Sequence, residues 1–272
     1  MTPLSTDTFT LLPGRTPLLV SLPHCGTALP PALAARLAPH ALAVPDTDWH
    51  LAELYAFAHT ELGAGLLVPR YSRYVVDLNR PPDNAPMYPG ANNTGLCPLQ
   101  DFEGRPLYAP GTEPDEAEIA QRREQFWRPY HQALEAELSR LQAQHGHAVL
   151  FDGHSIRSRL PWLFDGRLPD LNLGTASGAS CDPALRAQLA AVLAGQSHFS
   201  QVVDGRFKGG HITRHHGRPA QGRHAVQLEM AFATYLDEDA PLPPVLDATR
   251  VARLQPVLRA LLTALTQWRP AT

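Results

Sequence analysis

Short apolar runs bounded by turn residues recur along this chain and alternate with stretches of helical periodicity. Apolar runs of about four to eight residues between turn signals are typical of buried strands. Between them, residues 48–62 repeat apolar positions at helical spacing. The pattern predicts an α/β sandwich whose mostly parallel or mixed central sheet is flanked by helices. The apolar runs lie at residues 17–22, 64–68, 74–78, 147–151, 199–203 and 224–230.

Three more helices are predicted from start signals and long periodic stretches. The Asp-Pro pair at 182–183 is typical of an N-cap followed by a first-turn proline. Residues 112–145 form a long helical pattern with Pro129 inside it, where a kink or a break is expected. Residues 247–267 show a similar pattern around Pro256. These helices alternate with the predicted strands, as in an α/β fold.

One long segment, residues 80–111, shows neither period and is rich in proline and glycine. Loops of this length inside compact domains are usually functional or disordered. The aromatic and apolar residues of the segment favour an ordered loop or lid. No change in composition divides the 272 residues, of which 44% are hydrophobic, so a single domain over residues 1–272 is expected.

Charge and composition argue against several classes of function. The formal net charge is -3 and the acidic and basic residues are interspersed, which gives no basis for a nucleic-acid partner. The beginning of the chain lacks the marks of a signal peptide or a membrane span, so a cytoplasmic protein without a membrane partner is expected. The three cysteines are far apart, which suits a reducing compartment and gives no thiolate metal site.

Ionisable side chains lie at the ends of predicted strands or inside them. His24 and His154 each follow an apolar run, and Glu229 lies within one. Buried ionisable groups need a partner or a metal, and open α/β sheets bind ligands at the carboxyl ends of their strands. Two histidines with one carboxylate are typical of a catalytic zinc site. Asp46 or Asp48 could supply the carboxylate, and either could instead cap the following helix.

Arginines near the same strand ends are candidates for binding carboxylates through two-pronged hydrogen bonds. All but one of the 23 Lys+Arg residues are arginine, so the abundance of arginine alone carries little information. Surface ion pairs with Asp77 or Asp83 are the structural alternative. The polar residues at these positions are Arg73, Asn79, Arg80, Arg157 and Arg159.

The segment FKGGHITRHHG, residues 207–217, combines glycine with three histidines. A second metal-binding tract is one interpretation of this composition. We favour a glycine-flexed loop of the active site, because no helical pairing of His211, His215 and His216 is expected.

Six blocks of sequence occur in order along the chain: SLPHCG, DTDWHLAELY, SRYVVDLNRPP, FDGHSIRS with the following LFDGRLPDLNLGT, RFKGGHITRHHG and AVQLEM. Together they resemble the N-formylglutamate deformylase (N-formylglutamate amidohydrolase) family of histidine degradation. The blocks span about residues 15–235, and six ordered blocks are more specific than any one motif. The resemblance implies a phosphorylase/hydrolase-like, zinc carboxypeptidase-like α/β fold. It also implies hydrolysis of N-formyl-L-glutamate to formate and L-glutamate.

The same resemblance implies a set of metal ligands. One zinc ion would be held by the histidine of the PHCG motif, by an acid that opens the next helix, and by the histidine of DGHS. Carried onto this chain, these ligands are His24, Asp48 and His154. Asp48 is preferred to Asp46 because it stands at the start of the apolar helical pattern.

The implied catalytic and substrate-binding groups lie outside this ligand set. Glu229 resembles the catalytic glutamate, which takes a proton from water and passes it to the departing amine. Arg73 is expected to stabilise the oxyanion. Because the substrate is a dianion, cationic groups should hold its two carboxylates. The expected clamp consists of Asn79 with Arg80 on one carboxylate and Arg157 or Arg214 on the other.

Two other classes of function stay open at this point. Another zinc N-acyl amino acid amidohydrolase, or a carboxypeptidase-like peptidase, would use the same kind of metal site. A non-enzymatic metal-binding protein is suggested by the 13 histidines, although such a protein needs no base beside its metal.

Overall fold

Eight strands form one mixed sheet in the computed structural model, which describes residues 4–86 and 92–271. In chain order they are β1 (Leu4–Ser5), β2 (Phe9–Leu12), β3 (Leu18–Ser21), β4 (Gly65–Pro69), β5 (Ala148–Ile156), β6 (Leu171–Gly174), β7 (Gln201–Val203) and β8 (Arg223–Ala231). Across the sheet the order is β1-β2-β4-β3-β5-β8-β6-β7. The central strands β4, β3, β5 and β8 run parallel, whereas β2 pairs antiparallel with β4, and β6 with β8. The mixed sheet confirms the predicted fold class.

Helices pack on both faces of this sheet. They are α1 (Pro31–Ala34), α2 (Leu51–Leu54), α3 (Ala56–Thr60), α4 (Glu116–Arg122), α5 (Arg128–His145), α6 (Pro183–Ala194), α7 (His211–His216) and α8 (Ala248–Gln267). Side chains alternate between the two faces along each strand. In β3, Leu18 and Val20 therefore lie in one apolar core with residues of α2, α3, α6 and α8, while Leu19 lies in a second core with residues of α5.

The predicted strand at residues 74–78 is wrong. These residues are buried, but the backbone turns here, and Val75 N–H donates to Ser72 O. Asp77 N–H donates to a carbonyl of the long loop. These two backbone N–H groups are thus paired without a neighbouring strand. The apolar run has another cause, because Val75 packs into the first core and Val76 into the second.

Helix starts and breaks follow local chemistry. The Asp182 side chain accepts a backbone N–H in the first turn of α6, which confirms the predicted cap. The pattern over 112–145 is interrupted before Pro129 by a π-helical turn at Arg123–Trp127, as expected for a residue without an N–H. The helix predicted over 48–62 is instead two short helices, α2 and α3. No helix in the described part of the chain is long and apolar enough to cross a membrane.

The long segment at 80–111 is tied to its surroundings where it is described. Within it, Asn84 Oδ1 accepts from Leu96 N–H at 2.6 Å, and Leu96 is buried in the second core. Residues 87–91 of the predicted loop or lid lie outside the described residues. A lid function for this segment stays a prediction.

Candidate functional site

Three buried polar side chains meet at the carboxyl ends of the parallel strands. His24 follows β3, His154 lies near the end of β5, and Asp48 lies just before α2. Their candidate ligand atoms all lie within 4.8 Å of one another. Asp48 Oδ2 is 3.8 Å from His24 Nδ1 and 3.2 Å from His154 Nδ1. Two imidazole nitrogens and one carboxylate thus face a common point, and this donor set is typical of catalytic metal sites.

The surroundings of this group fit a bound cation. His24 Nδ1 is buried without a hydrogen-bond partner among the described residues, and an unpaired buried polar atom costs about 1–3 kcal/mol. On the outer side of the rings, His24 Nε2 lies 2.7 Å from Asp77 Oδ1, and His154 Nε2 lies 3.1 Å from Asp152 Oδ1. Carboxylates behind the coordinating rings are common in metal sites because they orient each imidazole and fix its tautomer. The group of His24, Asp48 and His154 can therefore hold a metal ion.

Charges around the two histidines shift their pKa values in opposite directions. Burial and the nearby Arg73 guanidinium lower the pKa of His24, although Asp77 opposes them. Burial also acts to lower the pKa of His154, but the neighbouring carboxylates, led by Asp152, outweigh it and raise that pKa well above its usual value. These carboxylates give the site the negative charge that a cation needs.

The structure separates the two candidate acids. Asp48 faces the histidines and also accepts from Ser155 N–H at 3.2 Å. Asp46 instead accepts from Phe102 N–H at 3.0 Å, and burial raises the pKa of Asp46 to about 7. Neither carboxylate caps a helix, because α2 begins only at Leu51 and has no side-chain cap. The fold therefore brings Asp48, and not Asp46, to the two histidines.

Glu229 lies beside this group on the neighbouring strand. It is the register partner of His154 between β5 and β8, and its side chain is buried. Burial raises the pKa of Glu229 to about 8, against the positive charges of His154 and Arg73. Gln227 Nε2 donates to Glu229 Oε2 at 3.4 Å. A buried carboxyl group with a perturbed pKa beside a candidate metal site is a candidate general base.

A cavity of about 610 Å³, its open mouth included, is lined by the three candidate ligands and by Glu229. Arg73 also lines this cavity, and its guanidinium is already close to two carboxylates. Arg73 Nη2 donates to Asp77 Oδ2 at 3.0 Å, and Nη1 lies 3.7 Å from Asp48 Oδ1. The guanidinium also lies 4.6 Å from the centre of the Phe102 ring. These contacts hold Arg73 rigidly next to the candidate ligands, and its role at an oxyanion stays a prediction.

Asn79 and Arg80 also line the cavity, and both are held by the protein. Asn79 Oδ1 accepts from Ile212 N–H at 2.8 Å at the start of α7, and Nδ2 lies 2.9 Å from His154 Nε2. Arg80 donates to the carbonyl and the hydroxyl oxygens of Thr94, both at 2.9 Å. Asn79 thus positions a candidate ligand and a helix, while Arg80 fastens the long loop. Their contacts with substrate stay predictions.

Arg157 and Arg214, the other two predicted substrate-binding residues, do not line this cavity. Arg157 is half-buried and lines a separate small pocket beside Asp46. Arg214 Nε donates to Gly209 O, and its side chain is exposed because α7 directs Ile212 and its buried neighbours toward the protein instead. The structure therefore brings neither arginine to the candidate metal group.

The predicted glycine-flexed loop at 207–217 is only partly a loop. Gly210 lines the cavity, and a Cβ there would lie 2.3 Å from the Asn79 side-chain nitrogen, so this close approach requires glycine. From His211 onward the chain is helical. His211 and His215 are four residues apart on α7, and their rings stack with centres 5.1 Å apart. The expectation that these histidines form no helical pair is wrong.

Three polar residues that sequence reasoning did not assign belong to the same site. Asp77 and Asp152 are fully buried carboxylates; Asp77 lies inside an apolar run, as Glu229 does, and Asp152 directly follows one, as His24 and His154 do, and this signal could have found them. Arg206 lines the cavity; it opens the block RFKGGHITRHHG, but no neighbouring apolar run singles it out from the other arginines.

A second group of histidines lies outside the cavity lining, where α7 packs near α5. His216 is 3% exposed; its Nδ1 lies 3.3 Å from Glu135 Oε2, and its Nε2 has no hydrogen-bond partner among the described residues. Burial and the neighbouring His215 lower the pKa of His216 to about 3. The same two causes lower the pKa of His211 to about 4. These imidazoles are therefore held neutral by the fold.

Acid should destabilise the protein through this cluster. In the unfolded chain, a histidine has a pKa of ~6.5. Between that pH and the lower pKa of His216 in the folded protein, the unfolded chain binds a proton that the folded chain does not. The free energy of unfolding therefore falls as the pH falls. For His216 alone the loss at pH 5 should be on the order of 1–2 kcal/mol. Urea unfolding at about pH 5 and about pH 7.5 measures this loss of unfolding free energy. His216→Gln should lessen the difference between the two pH values. His198→Gln changes an exposed histidine and should leave the difference as in the wild type. An unchanged dependence in His216→Gln would contradict this account.

Comparison with known proteins identifies the family. A sequence profile of the N-formylglutamate amidohydrolase family matches residues 16–236. The N-formylglutamate deformylases of Pseudomonas aeruginosa and Pseudomonas putida are 55% and 52% identical to this chain over 255 residues, which is 94% of this chain and 94% of each relative. These matches confirm the resemblance seen in the six sequence blocks.

Solved structures share the fold over nearly the whole chain. The N-formylglutamate amidohydrolase from Ralstonia eutropha JMP134 matches with a TM-score of 0.78 and 24% identity, covering 96% of this chain and 97% of that one. A gene product of Agrobacterium tumefaciens matches with a TM-score of 0.70 and 18% identity, covering 96% and 95%. From the sequence matches, this chain belongs to the N-formylglutamate amidohydrolase family.

Proposed function

We propose that this chain catalyses the metal-dependent hydrolysis of N-formyl-L-glutamate to formate and L-glutamate. The proposal rests on the buried group of His24, Asp48 and His154 with Glu229 on the adjacent strand, all lining one cavity. It is supported by the two Pseudomonas relatives, which are named N-formylglutamate deformylase. A cytoplasmic location for the enzyme stays a prediction from the sequence.

Zinc is the metal that the donor set favours. Two imidazole nitrogens and one carboxylate oxygen are the ligands of many zinc hydrolases, and they leave a coordination position open. When bound, zinc supplies a Lewis acid that polarises a carbonyl oxygen and lowers the pKa of water to ~7. The chain holds the ligands in place from behind, through Asp77 on His24 and Asp152 on His154.

Glu229 is the group placed to move the proton. Hydrolysis adds the water oxygen to the formyl carbon, breaks the carbon–nitrogen bond and requires a proton on the departing nitrogen. The Glu229 carboxylate takes a proton from the attacking water and delivers it to that nitrogen. Glu229 lines the same cavity as the candidate ligands, and burial raises the pKa of its carboxyl group above the usual value. Arg73, which lines the same cavity, stabilises the negative charge on the formyl oxygen.

Steady-state hydrolysis by the purified protein tests the proposal. We expect kcat/KM to be higher for N-formyl-L-glutamate than for N-acetyl- or N-succinyl-L-glutamate by about 10-fold or more. Each added acyl carbon must fit beside the buried side chains of His24, Asp48 and His154. Formate and L-glutamate should appear in equal amounts. A preference for the acetyl or succinyl substrate would instead identify another N-acyl amino acid amidohydrolase. Release of C-terminal residues from peptides would identify a carboxypeptidase-like peptidase.

A further inference from the structure

The loop between β7 and α7 is fastened at both ends. Asp204 accepts a backbone N–H at 2.7 Å and an N–H of the Arg186 guanidinium at 2.9 Å. At the other end, Gly210 N–H donates to Gln227 Oε1 at 2.8 Å. A loop held in this way presents its side chains in a defined geometry, so that little ordering is needed when a ligand binds. Arg206 lies within this loop.

Arg206 lines the active-site cavity among apolar side chains. Its Nη2 donates to Leu163 O at 3.2 Å, and its guanidinium carbon lies 5.4 Å from the centre of the Phe207 ring. Leu163 and Phe207 line the cavity too and pack on a small apolar cluster that contains Phe102 and Ile156. A guanidinium beside apolar side chains suits a ligand whose methylene arm ends in a carboxylate.

The other two arginines of the cavity have different surroundings. Arg73 is paired with Asp77 beside the candidate ligands. Arg80 donates to Thr94 and directly follows Asn79, whose amide contacts His154; the proposed function assigns it to the carboxylate next to the scissile amide. The second carboxylate of the substrate lies two methylene groups further along its side chain. Arg206 is the remaining arginine among the described residues that line the cavity.

We propose that Arg206 binds the side-chain carboxylate of the substrate and so selects an acidic over a neutral side chain. This inference rests on the proposed function and adds the residue that distinguishes glutamate from glutamine. A guanidinium donates two charge-assisted hydrogen bonds to a carboxylate. A carboxamide offers a single acceptor oxygen, and its NH₂ group faces the guanidinium donors unfavourably.

Two substrates that differ only in the side-chain terminus test the assignment. They are N-formyl-L-glutamate and N-formyl-L-glutamine, assayed with the wild-type protein, Arg206→Met and Arg206→Lys. Methionine keeps an unbranched apolar stem against Phe207 and removes the charge. We expect Arg206→Met to lower kcat/KM for the glutamate substrate by about 10- to 100-fold and for the glutamine substrate by less than about twofold. Lysine, which provides a point charge without the fork, should restore part of the preference.

Arg253→Met is a matched control, because it removes the same charge at an exposed position of α8 outside the cavity lining, and it should keep the wild-type preference. Calorimetric binding of L-glutamate and L-glutamine to each protein gives the same comparison without turnover. Equal losses on the two substrates, or a wild-type preference in Arg206→Met, would overturn the assignment. If the wild-type protein hydrolysed neither substrate and yet preferred L-glutamate through Arg206, the proposed reaction would fail and the assignment would stand.

Discussion

The Asp48→Asn protein is expected to lose most of its bound metal and its activity, whereas Asp46→Asn should keep about one ion per chain. Asp48 Oδ2 lies 3.8 Å from His24 Nδ1 and 3.2 Å from His154 Nδ1, while Asp46 is bonded to the Phe102 backbone. An amide oxygen carries no negative charge to offset the cation. Loss of an outer partner of a metal ligand typically costs about 10- to 100-fold in affinity or activity, so loss of a ligand should exceed that.

Elemental analysis and kcat/KM on the same samples check this pair of variants. Asp77→Asn and Asp152→Asn extend the series, because each changes a carboxylate behind a candidate ligand ring, and each should cost about 10- to 100-fold. Full metal occupancy in Asp48→Asn would remove this group as the metal site. Loss of metal in Asp46→Asn, with retention in Asp48→Asn, would transfer the ligand role to Asp46.

The strands that carry the site were predictable because they are buried on both faces. β3, β5 and β8 read as apolar runs, and parallel strands bring their carboxyl ends to one edge of a sheet. That rule alone places His24 and His154 together, and register then places Glu229 beside His154. The sequence did not decide between Asp46 and Asp48, because both precede the same helix and only their contacts in the fold distinguish them: Asp48 faces the two histidines, and Asp46 accepts from Phe102 N–H.

An apolar run in the sequence does not show whether its backbone forms a strand or a turn. Residues 74–78 look like a strand because Val75 and Val76 supply side chains to two different cores. Periodicity cannot tell such a buried turn from a short buried strand. The difference matters for the candidate site, because this turn carries Asp77. The Asp77 carboxylate lies behind the His24 ring, and the turn sets its position.

The substrate side of the site depends on how loops pack, which the sequence does not state. Arginines are abundant in this chain, and nothing local distinguishes one from another. Arg214 lies on the exposed side of α7 because a helix forms where a loop was expected. Arg206 reaches the cavity because contacts distant in sequence, made by Asp204 and Gly210, hold its loop. Candidate metal ligands were therefore easier to predict from the sequence than candidate substrate-binding arginines.

Glu229→Gln is expected to lower kcat by about 100-fold or more while KM, metal content and folding stay near wild type. Glutamine has the same shape but cannot accept the proton of the attacking water. Because burial disfavours the charged carboxylate and raises the pKa of Glu229 to about 8, a neutral side chain at this position should not destabilise the fold. The loss should therefore appear in the rate of the chemical step and not in the amount of folded protein.

Glu137→Gln supplies the matched control, since Glu137 is a buried glutamate of α5 that accepts from Gly14 N–H at 2.7 Å and pairs with Arg140. That change should lower the melting temperature and leave kcat per folded molecule unaltered. Measuring kcat, metal content and melting temperature on one preparation of each protein separates the two effects. A normal kcat in Glu229→Gln would remove Glu229 from the reaction, and a lowered melting temperature with a normal rate would make it structural. Both glutamates are buried, but only Glu229 lies beside the candidate metal group. A fall in kcat in Glu229→Gln alone would therefore come from its position at that group and not from the loss of a buried charge.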